Sequence, residues 1–115
     1  MQGKSKKRKA RTKAQQDWLN DAADIGCLND GRPCQIHHMF GETAQVKIDL
    51  VSENIGQWAI NPLCPECHKA IETNSDRRGE EKRNFETLCA WWTRIHQKPL
   101  PFSDKIYTAI MEYSR

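Results

Sequence analysis

Cys64-Pro65-Glu66-Cys67-His68 limits what this chain can become more than any other stretch of it. Two thiols two residues apart can reach one zinc ion, and Pro65 can sit in the first turn of a helix without losing a useful hydrogen bond. A second pair, Cys27 and Cys34, completes a tetrahedral set of four thiols. Asn29, Asp30, Gly31, Arg32 and Pro33 lie between them, a run of turn formers suited to a knuckle. Six residues separate that pair, looser than zinc pairs usually are, so the later pair is the firmer half of the set. Thiols packed as small hydrophobes are the alternative, and the polar turn residues around them argue against it. Metal ligation suits a chain of 115 residues, 37% hydrophobic, with room for one modest domain and a thin core. Zinc binding then contributes directly to folding.

His37-His38 adds a possibility that a structural zinc does not require. Neighbouring residues on a strand point to opposite faces, so one imidazole can hold a metal while the other approaches a water molecule. His68 can return to the same metal from the following helix, with Glu72 one turn farther along. His37, His68 and the oxygen ligand Glu72 thus form a mixed site fit for magnesium, manganese, zinc or nickel. A solvated surface acid is the other reading of Glu72.

The periodicity predicts a helix from Thr12 through Trp18, Leu19, Ala22 and Ile25, stopped by Gly26. Gln35–Phe40 reads as a short strand, and Val46, Ile48 and Leu50 as another. Residues 74–82 are polar, contain Gly79, and read as a loop or frayed helix end. Phe85, Leu88, Trp92 and Ile95 then share a helical face, and Ser103 caps a last helix containing Ile106 and Ile110. Trp92 and Phe85 belong to the core, with stacking of Trp91 or Trp92 on an unpaired base as the alternative.

Charge is distributed unevenly. Lys4, Lys6, Lys7, Arg8, Lys9, Arg11 and Lys13 give residues 1–16 a charge of +7 with no acid, and residues 17–115 hold 11 bases against 15 acids. Residues 1–11 offer nothing to bury and are expected to form a disordered basic arm. On a nucleic-acid backbone such an arm gains free energy by releasing counterions, whereas a solubilising tail is the bland alternative. No apolar run approaches the roughly 18 residues of a membrane span, and no apolar stretch follows the basic amino terminus as a secretory signal would need. An intracellular protein with reduced thiols is therefore expected.

Gly31-Arg32, His37-His38, Pro62-Leu63-Cys64 and His68 resemble the HNH, or ββα-metal, endonuclease superfamily, and are especially similar to phage recombination-enhancement nucleases and related phage proteins. The resemblance spans about Cys27 to Glu72 and extends more weakly to Trp92. It implies a small α+β fold: a ββα-metal core with a structural zinc knuckle and flanking helices, in one HNH-like nuclease domain over residues 12–115. It implies metal ligation by His37 and His68, with His38 as general base. Many members place a further histidine where Glu72 stands here. An asparagine that orients the imidazole falls at the position of Ala59, leaving nearby Asn61 as the candidate substitute.

The function so implied is metal-dependent hydrolysis of DNA phosphodiester bonds in phage recombination or DNA processing. It would use structural zinc and a catalytic magnesium or manganese ion, in host cytoplasm or nucleoid. The expected partners are single-stranded DNA or a recombination intermediate, and a recombinase filament. Arg32, Lys69, Arg77, Arg78 and Arg83 join the arm as candidate phosphate contacts. The rival is a zinc-stabilised DNA-binding or phage interaction protein without catalysis, which Ala59 and Glu72 favour and the intact histidines oppose.

Overall fold

The structure, a computed structural model, describes residues 11–39 and 55–112. Helix α1 (Lys13–Ile25) starts at a capping box: Thr12 Oγ1 accepts from the Gln15 amide, and the Gln15 side chain accepts from that of Thr12. It ends at Gly26, whose φ of 84° is a backbone that L side chains rarely adopt. Strand β1 (Gln35–His38) pairs antiparallel with β2 (Ile60–Leu63) in the register Gln35↔Leu63, Ile36↔Pro62, His37↔Asn61 and His38↔Ile60. A single 3₁₀ turn, Ile55–Gln57, precedes β2. Pro62 lacks an amide donor, but its carbonyl accepts from the Leu28 amide at 3.1 Å and so attaches the knuckle to the sheet.

Helix α2 (Pro65–Glu72) follows β2 after the single residue Cys64. Helices α3 (Arg77–His96) and α4 (Asp104–Glu112) complete the described chain. This is a small α+β fold with a ββα-metal-type core and flanking helices, as expected. Trp18 lies at the centre of the apolar cluster, with ring centroids 5.2 Å from Phe102, 5.9 Å from Trp92 and 6.1 Å from Trp58. Its indole N–H, which would be costly to bury unpaired, donates to the Trp58 carbonyl at 3.1 Å. Phe85, Leu88 and Trp92 form the buried face of α3.

Three local expectations need revision. Residues 77–82 are helical, not loop: Arg77 pairs with Glu81 and Arg83 with Glu80, contacts that favour a helix across a polar stretch. Gly79 fits this helix start because a Cβ there would come within 2.4 Å of the Asp76 carboxylate. Ile95 is exposed, because the last turn of α3 runs beyond Trp92, its last buried residue. Strand β1 stops at His38, and Met39 turns inward to full burial. The strand expected around Val46, Ile48 and Leu50 lies outside the described residues. Ser103 does cap α4, accepting from the Ile106 amide at 3.2 Å.

Candidate metal centres

Two tight backbone arrangements bring the thiols together. In the knuckle, the Cys27 amide donates to the Arg32 carbonyl at 2.9 Å and the Gly31 amide to the Cys27 carbonyl at 2.8 Å. Asp30 Oδ1 accepts from the Arg32 amide at 3.0 Å. Across from it, Cys64 is the N-cap of α2, and its sulfur accepts from the Cys67 amide at 3.4 Å. One ligand atom each from Cys27, Asp30, Cys64 and Cys67 lies within 4.8 Å of the others. Zinc held by thiolates at about 2.3 Å places tetrahedral sulfurs about 3.8 Å apart, so the set closes around an ion by at most about 1 Å.

The fourth member of that set is Asp30, not Cys34. The knuckle turn ends at Gly31, and Cys34 already leads into β1, where its thiol faces the Ala23 carbonyl on α1 at 3.7 Å. Asp30 Oδ2 meanwhile accepts from the thiols of Cys64 at 3.2 Å and Cys67 at 3.7 Å. Cys27-x-x-Asp30 therefore has the same two-residue spacing as Cys64-x-x-Cys67.

Charge compensation is built in. The Arg32 guanidinium lies 2.9 Å from Asp30 Oδ2 and 3.5 Å from Cys64 Sγ, and also pairs with Glu66. It holds the Asp30 carboxyl well below the usual carboxylate range. Burial pushes the Cys67 thiol up to about 12 and raises that of Cys34. Burial also opposes ionisation of Cys27, but hydrogen bonds from the backbone of Cys64, Asp30 and Asn29 together hold its thiol below the usual value. Cys89, packed in the core away from this set, is raised by burial to about 12 and is an inert structural thiol.

The second centre combines β1 and α2. His37, His68 and Glu72 each offer a ligand atom within 4.8 Å of the others. His68 and Glu72 sit one helical turn apart, with Nε2 and Oε2 separated by 3.2 Å, and the rings of His37 and His68 are 4.6 Å apart at 71°. His68 Nδ1 lies 3.1 Å from Gln35 Oε1, and His37 Nε2 lies 2.5 Å from Glu81 Oε2. Imidazole and carboxylate suit a divalent ion of borderline or hard character, and both neighbours present further polar atoms to the rings.

His38 follows on the opposite strand face, half-buried, opposite Ile60. Asn61 stands opposite His37 and is fully buried. Its amide donates to the carbonyls of Ile60 at 2.9 Å and Glu81 at 3.2 Å, so it links β2 to α3. Among the candidate phosphate contacts, Arg32 is occupied by Asp30 and Glu66, Arg77 by Glu81, and Arg83 by Asp76 and Glu80. Arg11 donates to Gln57 and Gln16, Lys13 pairs with Asp17, and Lys69 and Arg78 are exposed. Lys4, Lys6, Lys7, Arg8 and Lys9 lie outside the described residues. Trp92 is buried as expected, whereas Trp91 is 44% exposed beneath the Arg94 guanidinium.

Sequence reasoning missed Asp30, Gln35 and Glu81. The spacing of Asp30 from Cys27 was a usable signal, and so was an acid at position 81 on the helical face of Phe85, Leu88 and Trp92. The second signal was hidden by reading the start of α3 as a loop. Comparison with known proteins supplies no relative: no protein-family model matches the chain, and no curated protein or solved structure matches it significantly.

Proposed function

We propose that the protein is a metal-dependent DNA endonuclease of the ββα-metal kind, with residues 12–115 forming one nuclease domain. The observation that carries this reading is the convergence of His37, His68 and Glu72 from a strand and the helix after it, with His38 adjacent on the strand. Three ligands of mixed nitrogen and oxygen character leave positions for substrate and water, unlike the closed four-ligand set at the knuckle. When bound at the mixed site, magnesium or manganese supplies Lewis-acid stabilisation of charge developing on the phosphate and the leaving 3′ oxygen.

The protein's own groups do the rest. An imidazole is largely uncharged near pH 7, so His38 accepts a proton from the water that attacks phosphorus. By analogy with the family the product carries a 5′-phosphate. Cys27, Asp30, Cys64 and Cys67 would hold structural zinc, and two of them, Cys64 and Cys67, stand at the start of α2 just ahead of His68. The basic arm and exposed Lys69 and Arg78 supply phosphate contacts without reading sequence. The substrate on this reading is single-stranded DNA or a recombination intermediate, presented beside a recombinase filament inside a phage-infected cell.

One observation favours a second reading, a zinc-stabilised DNA-binding module without catalysis. Ala59 stands where the resembling family has its orienting asparagine, and Asn61 is committed to the Ile60 and Glu81 carbonyls. Incubating end-labelled single-stranded and duplex DNA with the zinc-loaded protein separates the two, with and without magnesium or manganese and with a recombinase filament in parallel. Metal-dependent strand scission supports the nuclease; binding without scission under every condition supports the module.

A further inference from the structure

Among the described residues, Glu81 is the only carboxylate with no exposed surface. Removing a carboxylate from water is costly unless charged or hydrogen-bonding partners replace the solvent. Glu81 Oε2 meets Arg77 Nε at 3.1 Å and His37 Nε2 at 2.5 Å, while its backbone carbonyl accepts from Asn61. Both ends of the residue are thus anchored, the backbone to β2 and the side chain to β1.

The 2.5 Å separation also restricts the metal chemistry of His37. An ion ligated by both atoms would stand about 2.0–2.2 Å from each and spread them to roughly 3 Å or more. An ionised carboxylate can only accept, so in this pair Nε2 is the nitrogen suited to donate and Nδ1 the one left to face an ion. His68 is held in a parallel way, with Nδ1 against Gln35 Oε1 and Nε2 toward Glu72.

We infer that Glu81 is a positioning residue for the mixed metal centre: it accepts the Nε2–H of His37 and so fixes the tautomer in which Nδ1 presents its lone pair to the ion. Arg77 keeps the carboxylate in place. A carboxylate behind a ligating histidine both orients the ring and raises its basicity as a ligand. The inference deepens the proposed function and rests on its assignment of His37 as a metal ligand.

The test uses the zinc-loaded 115-residue chain. Long-range ¹H–¹⁵N correlation spectra of the imidazoles report which nitrogen of His37 carries the proton, and titration with Mn²⁺, followed by the free-ion electron paramagnetic resonance signal, reports affinity at the mixed site. In the wild type, His37 is expected to be protonated on Nε2 and unprotonated on Nδ1. Glu81→Leu is expected to mix the tautomers and weaken Mn²⁺ binding about 10–100-fold, with zinc retained at the knuckle. Glu81→Gln, which keeps an acceptor oxygen at the same reach, is expected to recover part of that loss. A proton on Nδ1 in the wild type overturns the inference, as does wild-type Mn²⁺ affinity in folded Glu81→Leu. If Glu81→Leu does not fold, the wild-type spectrum still decides, because it requires no variant. Absence of Mn²⁺ binding by the wild type would overturn the proposed metal site and this inference with it, whereas normal binding by both variants would overturn this inference alone.

Discussion

Replacing Asp30 and Cys34 separately by alanine distinguishes the two possible fourth ligands of the knuckle. A structural zinc site contributes about 10–16 kcal/mol at neutral pH, spread over four donors. An average donor in such a set is therefore worth about 10²–10³ in affinity. Asp30 is within hydrogen-bonding reach of two of the thiols, whereas Cys34 points to the Ala23 carbonyl. Asp30→Ala is thus expected to weaken zinc binding by about 100-fold or more. It also strands Arg32, whose remaining acidic partner is then Glu66. Cys34→Ala should leave the affinity within about threefold of wild type, because that thiol faces the Ala23 carbonyl and packs against the cluster of Cys27, Leu63, Cys64 and Ile71. Competition against a chromophoric chelator measures both variants. Cobalt substitution adds an independent count, since sulfur-to-metal charge-transfer intensity scales with bound thiolates and three are expected. A 100-fold loss in Cys34→Ala together with unchanged affinity in Asp30→Ala would refute the assignment.

Further outcomes follow from the same contacts. The Cys67 thiol, raised to about 12, is protonated at neutral pH without metal. Zinc must displace that proton, so affinity should increase as pH rises through neutrality, and calorimetry in buffers of different ionisation enthalpy should register proton release; pH-independent binding would contradict the thiol assignment. Trp18→Ala removes the indole at the centre of the aromatic cluster and should cost about 3–5 kcal/mol by urea unfolding of the zinc-loaded protein, with a loss below about 1 kcal/mol contradicting that role. Deleting residues 1–10 removes five basic side chains. On B-DNA this should flatten the log–log salt dependence of binding by up to about 4.5, and an unchanged slope would show that the arm does not engage phosphates.

The sequence made the helices and the ββα core legible where one physical signal acted alone. The change of pattern at Thr12 and the glycine at Gly26 marked both ends of α1, and Pro65 after Cys64 marked the start of α2, because such constraints are local. Long-range charge pairing was less visible. The start of α3 reads as a polar loop until Glu81 is seen to reach His37, a residue 44 positions away. Likewise, Cys34 matched the thiol chemistry of the knuckle, but the backbone turn determined that Asp30 faces the other ligands. Residue type was readable in both cases, and side-chain direction was not.

His38 is the most direct point at which to test hydrolysis itself. Single-turnover cleavage of end-labelled DNA, with magnesium or manganese added to zinc-loaded protein, should be compared for the wild type and His38→Ala. Zinc content, Mn²⁺ affinity and DNA binding are measured on the same preparations. Folded His38→Ala is expected to keep all three properties and to cleave about 10²–10⁴-fold more slowly, the usual contribution of a positioned general base. Cleavage by this variant at the wild-type rate, or no metal-dependent cleavage by the wild type under any of these conditions, would contradict that role.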